Sequence, residues 1–108
     1  MLNKKQKLRK DADTLFQSKR QKLCKLCGKP ASVVHHLIPK ARSNAVRYDL
    51  MNAVSLCMGC HHLWHATQDP RLYEKMRPRN FKALEAKSRK IIRTNLAFYE
   101  EAIERLKT

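Results

Sequence analysis

Paired cysteines and clustered histidines carry the chemistry that can be read in this 108-residue chain. Cys24 and Cys27 enclose CKLC, and Cys57 and Cys60 enclose CMGC. Each C-x-x-C knuckle offers two thiolates at the bite of one tetrahedral Zn²⁺, and Gly28 and Gly59 are expected to permit the tight turns a knuckle needs. The two knuckles together predict a structural four-cysteine zinc site, although the spacer between them is longer than in an ordinary zinc ribbon. Buried free thiols and a redox C-x-x-C are the competing readings, and the second lacks the βαβ surroundings it requires. Lys22, Lys25 and Lys29 flank the first knuckle, where they would offset the negative charge of a four-thiolate centre.

The histidines lie around that scaffold. VVHHLIPK, residues 33–40, sets His35 beside His36, and His61 and His65 follow the second knuckle four residues apart. On a helix, positions four apart share a face, so His61 and His65 can both reach one metal while His62 points elsewhere. In an extended strand neighbouring side chains alternate between faces. One member of the 35–36 pair can therefore ligate a metal while the other stays free and points at substrate. Asp49 is the only acidic residue between Cys24 and Gln68. That excludes a two-metal carboxylate nuclease and a paired-carboxylate hydrolase. The HExxH protease pattern also fails, because His62 stands where its glutamate would be. A histidine-rich, single-metal site in basic surroundings remains.

The formal charge is +15, from 24 Lys and Arg against 9 Asp and Glu, and the basic residues run along the whole chain. Such a balance favours a polyanionic partner, nucleic acid before an anionic membrane surface, since no stretch pairs a basic face with a broad exposed apolar one. Nothing approaches the roughly 20 apolar residues of a membrane span, and no apolar run of signal-peptide length follows the basic start. The chain reads as intracellular and cytoplasmic, where thiols stay reduced and available to metals.

The elements that must position these groups fall into one α+β domain over 1–108. Residues 4–22 carry Leu8, Ala12, Leu15 and Phe16 on one face of a strongly basic helix, expected to be an exposed arm (1–22) that leans Phe16 on the core. Short strands are expected at 32–35 and 53–56, separated by a polar loop over 39–52, with a helix from about 58–60 that completes a core over 23–70. A helical extension over 71–108 follows. Asp69 and Pro70 open a short helix that ends before Pro78. A further segment spans about 79–92. Thr94 or Asn95 caps a last helix with Leu96, Tyr99, Ile103 and Leu106 on one side. Trp64 reads as packing under the hairpin rather than a base-stacking platform, and Tyr48, Phe81 and Phe98 read as packing.

VHHLIP, YDLMNAVSLC and CMGCHHLWH, in this order over residues 22–70, resemble the HNH endonucleases, whose ββα-metal (His-Me finger) motif has a double histidine or Asp-His on the first strand, an asparagine before the second, and ligands on the helix. The resemblance implies that His36 is the general base and that His35, His61 and His65 hold one divalent catalytic metal. It implies that Asn52 braces the loop and helps orient His36. Several relatives have Asp at the place of His35 and use fewer helix ligands. The flanks, KKQKLRKDADTLFQ and AVRYDLMNAVSLCMGCHH, resemble small phage-encoded HNH proteins of the NinG recombination type.

The expected function is therefore metal-dependent hydrolysis of DNA phosphodiesters to 5′-phosphate and 3′-hydroxyl ends. Lys40, Arg42 and Arg47 in the loop, with His62, are the expected phosphate contacts, which position the strand without reading its sequence. Imidazole donors suit Zn²⁺, Ni²⁺, Co²⁺ or Mn²⁺ better than Mg²⁺. The alternative is a zinc-stabilised nucleic-acid-binding or recombination accessory module that does no chemistry.

Overall fold

In the computed structural model, which describes residues 1–108, a capping box formed by Asn3 and Gln6 opens α1 (Lys4–Ser18). The helix stops short of residue 22 because the chain is diverted: Gln21 donates its N–H to Ser55 Oγ (2.8 Å), and Ala31 donates to the Lys22 carbonyl (2.8 Å). Residues beyond Ser18 therefore bond to the knuckle and the second strand, not to a further turn of helix.

Two strands, β1 (Val33–His36) and β2 (Ala53–Leu56), pair antiparallel with Val33 opposite Leu56 and His36 opposite Ala53. β1 extends one residue past the expected end, to His36, because Leu37 N–H finds the Asn52 carbonyl (3.0 Å) and prolongs the pairing. A single 3₁₀ turn, Leu50–Asn52, leads into β2. The helix after the hairpin, α2 (Met58–Thr67), takes its N-cap from Cys57, whose Sγ accepts the Cys60 N–H (3.4 Å). It ends where Gln68 adopts φ +51°, a left-handed helix stop. Strands and helix together form the expected ββα unit in an α+β chain.

Three more helices follow. Asp69 caps α3 (Pro70–Met76), with Pro70 at its first turn. The segment expected over 79–92 contracts to α4 (Phe81–Ser88): the Ser88 carbonyl is taken by Ser43 Oγ (2.9 Å), and Ile91 beyond it is fully exposed, with no face to bury. Asn95, of the two candidates, caps α5 (Leu96–Lys107) through the Phe98 N–H (2.9 Å). Tyr99, Ile103 and Leu106 are buried as expected, joined by Ala102, whereas Leu96 at the helix start lies in solvent.

The sheet separates two apolar cores. Val54 and Leu56 join Leu37, Ile38, Val46, Trp64, Met76 and Leu84 on one side. Val34 joins Ala12, Phe16, Tyr48, Tyr99, Ala102, Ile103 and Leu106 on the other. Residues 1–22 are thus not an exposed arm: α1 packs along α5, and Ala12 and Phe16 are almost fully buried between them. No helix is long and apolar enough to cross a membrane.

Candidate active site and metal centres

The first knuckle folds back on itself. Cys24 N–H donates to the Lys29 carbonyl (2.7 Å) and Gly28 N–H to the Cys24 carbonyl (3.0 Å), and Gly28 sits at φ +78°, where a side chain would be strained. Gly59 does not share that role. It lies in the first turn of α2 without a positive φ, so the expected need for glycine at 59 is corrected: the helix itself sets the second knuckle's bite.

The sulfur atoms of Cys24, Cys27, Cys57 and Cys60 all lie within 4.8 Å of one another, with Cys27 Sγ 3.6 Å from Cys57 Sγ. Burial alone would raise the Cys24 thiol, but N–H donors from Cys57, Cys27 and Leu26 outweigh it and bring the group down to about 6. The Cys60 N–H lowers Cys57, whereas burial, followed by the neighbouring sulfurs, raises Cys60. Four thiols so close cannot all ionise alone, and a tetrahedral dication is the partner that lets them. The donor set fits structural zinc.

The histidines meet on the other side of α2's first turns. The ligating nitrogens of His35, His61 and His65 lie within 4.8 Å of one another, and the Nε2 atoms of His61 and His65 are 3.0 Å apart. His35 is buried on the α2 face of β1, and its Nε2 has no hydrogen-bond partner. An orphaned buried nitrogen beside two more imidazole nitrogens is a donor set that fits a divalent cation, since such a group left unpartnered is costly. Burial, and after it the nearby His61, His65 and His36, pushes His35 down to about 4; burial also lowers His61. Both are therefore neutral near pH 7, the form that ligates. His62 is exposed and outside the trio, its ring 6.5 Å from that of His61.

His36 faces the α1 side, its ring 4.6 Å from Phe16. Its Nε2 lies 3.0 Å from the Arg47 carbonyl. A carbonyl only accepts, so Nε2 carries the proton, and Nδ1 is left as the unprotonated nitrogen of the neutral ring. Burial lowers the His36 pKa against the opposing bond to Arg47. A cavity of about 780 Å³ runs along β1 and takes in His35, His36, His61, His65, Lys40 and Arg42.

Asn52, wholly buried, donates Nδ2 to the carbonyls of Ile38 (3.0 Å) and Val46 (3.2 Å) and accepts Ile38 N–H (2.7 Å). It braces the loop and makes no bond to the His36 ring. Arg47 is not an available phosphate contact. Its side chain is only 12% exposed, and its Nη2 donates to both oxygens of Asp13 (3.1 and 3.0 Å), so burial and an ion pair remove it from the expected DNA-binding set. Lys40 and Arg42 remain exposed at the cavity.

Sequence reasoning missed three α1 side chains. Asp13 also accepts from Tyr48 OH (2.7 Å), so Tyr48 is more than packing. Gln17 clamps the outer edge of β1, with Nε2 on the Val34 carbonyl and Oε1 on the Val34 N–H, both 2.9 Å. Phe16 was assigned to the core but not to His36. The available signal was that Asp13 and Gln17, four apart, border the Ala12–Phe16 stripe and so must face inward at its rim.

A family model described as HNH endonuclease matches residues 24–67. Over that segment, under half of the chain, the sequence is similar to the HNH endonucleases. It begins at Cys24, ends with α2, and contains all four cysteines, both strands, His35, His36, Asn52, His61 and His65. The HNH segment leaves out α1 and the three helices that follow α2. No curated protein and no solved structure gave a match.

Proposed function

We propose that the protein is a metal-dependent endonuclease that hydrolyses DNA phosphodiester bonds, with His36 as general base and His35, His61 and His65 as ligands of one catalytic metal. The observation that carries this reading is the split of the 35–36 pair. His35 presents an unpartnered nitrogen to the helix histidines, while the His36 ring is fixed by the Arg47 carbonyl with Nδ1 free.

A divalent ion held by the three imidazoles, Zn²⁺, Ni²⁺, Co²⁺, Mn²⁺ or Mg²⁺, would supply Lewis-acid stabilisation of the charge that develops on the phosphate and the leaving oxygen. His36 Nδ1 takes a proton from the attacking water while Nε2–H, anchored to the Arg47 carbonyl, keeps the ring aimed. The 3′ oxygen leaves and takes its proton from solvent, giving 5′-phosphate and 3′-hydroxyl ends. Lys40 and Arg42 hold phosphates at the cavity mouth. The strand continues along a groove on α1 that includes Gln6, Arg9 and Lys10 and meets the cavity at Gln17. Contacts of this kind position DNA with little sequence preference. On the likeness of its flanks to phage recombination proteins, we assign the cleavage to DNA processing inside the cell, where thiolates stay reduced.

The four-cysteine cluster and the charge of +15 also suit a nucleic-acid-binding module without chemistry. Adding metal to protein stripped of all but its zinc separates the two. Supercoiled plasmid should remain intact without added metal and be nicked on addition of Mn²⁺, Ni²⁺ or Mg²⁺. Binding of the plasmid with no cleavage under any metal would favour the module.

A further inference from the structure

Outside the HNH segment, α1 reaches His36 by a continuous chain of bonds. The His36 Nε2–H is held by the Arg47 carbonyl (3.0 Å), and the Arg47 side chain returns to Asp13 through two hydrogen bonds (3.1 and 3.0 Å). Tyr48, the next residue, donates its hydroxyl to the same carboxylate (2.7 Å). The preceding carbonyl, of Val46, is held by Asn52 (3.2 Å). The peptide that orients His36 is thus pinned from both sides, by Asn52 within the HNH segment and by Asp13 outside it.

We propose that Asp13 is a positioning residue for His36, acting through Arg47, so that the complete active site extends onto α1; this rests on the reading of His36 as the base. The loop that carries Arg47 has no helix or strand beyond the one 3₁₀ turn, so side-chain anchors supplement its few backbone turn bonds, such as Arg47 N–H to the Asn44 carbonyl (3.3 Å), in setting where its carbonyl stands. Asp13 anchors two consecutive residues of it. Its charge suits the task, since Arg47 is largely buried and needs a counter-ion. Of the two acids on this basic helix, Asp11 and Asp13, it is Asp13 that Arg47 and Tyr48 engage. Phe16 and Gln17, from the same turn, pack the His36 ring and clamp β1 at Val34. One helix turn therefore fixes the strand, the ring and the carbonyl that accepts its Nε2–H. With Asp13 gone, the carbonyl is free to drift, Nε2–H loses its partner, and the ring can turn or change tautomer.

The test compares Asp13→Ala and Asp13→Asn with wild type, each also combined with His36→Ala, at a temperature where all are folded. Plasmid cleavage is measured at saturating divalent metal, alongside zinc content and the ¹⁵N NMR tautomer of His36. We expect kcat to fall roughly 10- to 100-fold in Asp13→Ala, the scale at which a small misplacement of a reacting group acts, with KM and zinc unchanged. Asp13→Asn keeps the shape and one acceptor oxygen, so it should fold and lose less. His36 should leave its single Nε2–H tautomer, and Asp13→Ala should cost nothing further in the His36→Ala background. The proposal is overturned if both variants keep wild-type kcat, if the loss is equally large without His36, or if the tautomer is unmoved. Should His36→Ala itself cleave normally, the base assignment fails, while the tautomer readout still decides whether Asp13 holds the ring.

Discussion

The Nε2 atoms of His61 and His65 stand 3.0 Å apart on one face of α2, and the buried, unpartnered nitrogen of His35 lies within ligating reach of both. Two imidazole nitrogens at that distance share one proton or one cation. The protein should therefore bind two divalent ions, one at the cysteines and one here. His61→Ala and His35→Ala should each leave the zinc in place and weaken the second ion about 10- to 100-fold or more, measured by titration calorimetry on zinc-loaded protein.

Removing the second ion should make stability depend on pH. Burial, and after it the neighbouring histidines, pushes His35 in the folded chain from the usual 6.5 down to about 4, so between these pH values the unfolded chain binds more protons. The stability that His35 contributes is fully present above about 6.5 and is lost as pH falls towards about 4. Melting of the zinc-only protein should fall by several degrees from pH 7.5 to pH 5, given roughly 4–8 °C per kcal/mol for a domain near this size. Saturation with the second metal should flatten that slope at its upper end, and His35→Gln should reduce it.

Cys57 both joins the sulfur cluster and caps α2. Cys57→Ser should release the zinc, and structural zinc is worth on the order of 10 kcal/mol in small domains, comparable to their whole stability. Loss of zinc by atomic absorption should coincide with loss of the cooperative melt.

Arg42 and Arg47 should behave oppositely. Arg42→Ala, at the exposed cavity mouth, should weaken DNA binding and reduce the log–log salt slope by about 1, with melting unchanged. Arg47→Ala should destabilise the fold, because it leaves the Asp13 carboxylate without its ion pair. Fluorescence anisotropy across a salt series and thermal melts distinguish them.

Tyr99, Ala102, Ile103 and Leu106 of α5 cover the inner face of α1. Deleting residues 94–108 should expose Phe16, whose truncation to Ala alone is worth about 3–5 kcal/mol, and should cost cleavage along with stability. Melting and plasmid cleavage of the truncated chain check this.

The local parts of this architecture were legible because each rests on short-range rules. The doubled C-x-x-C gave the zinc scaffold, alternation in 33–36 separated His35 from His36, and the i, i+4 spacing brought His61 to His65. Asp69–Pro70 and Asn95 marked helix starts through backbone chemistry that needs no tertiary partner. What escaped depends on contacts between distant segments. Nothing near Arg47 announces that it will be buried by Asp13, and an amphipathic basic helix reads alike whether it projects into solvent or packs on α5. Gly59 misled for a related reason: a glycine beside a cysteine suggests a turn, but the N-terminus of α2 already supplies the bite.

On the proposed mechanism the two neighbouring histidines divide the work, with the metal on His35 and the proton on His36. It is tested most directly by His36→Ala, assayed for supercoiled-plasmid cleavage with both metal sites loaded and their occupancy measured in the same sample. Both ions should remain at wild-type stoichiometry and DNA binding should persist, while cleavage falls by about 100-fold or more, the scale of lost general-base catalysis. Cleavage at the wild-type rate, or loss of the second ion together with activity, would contradict the division.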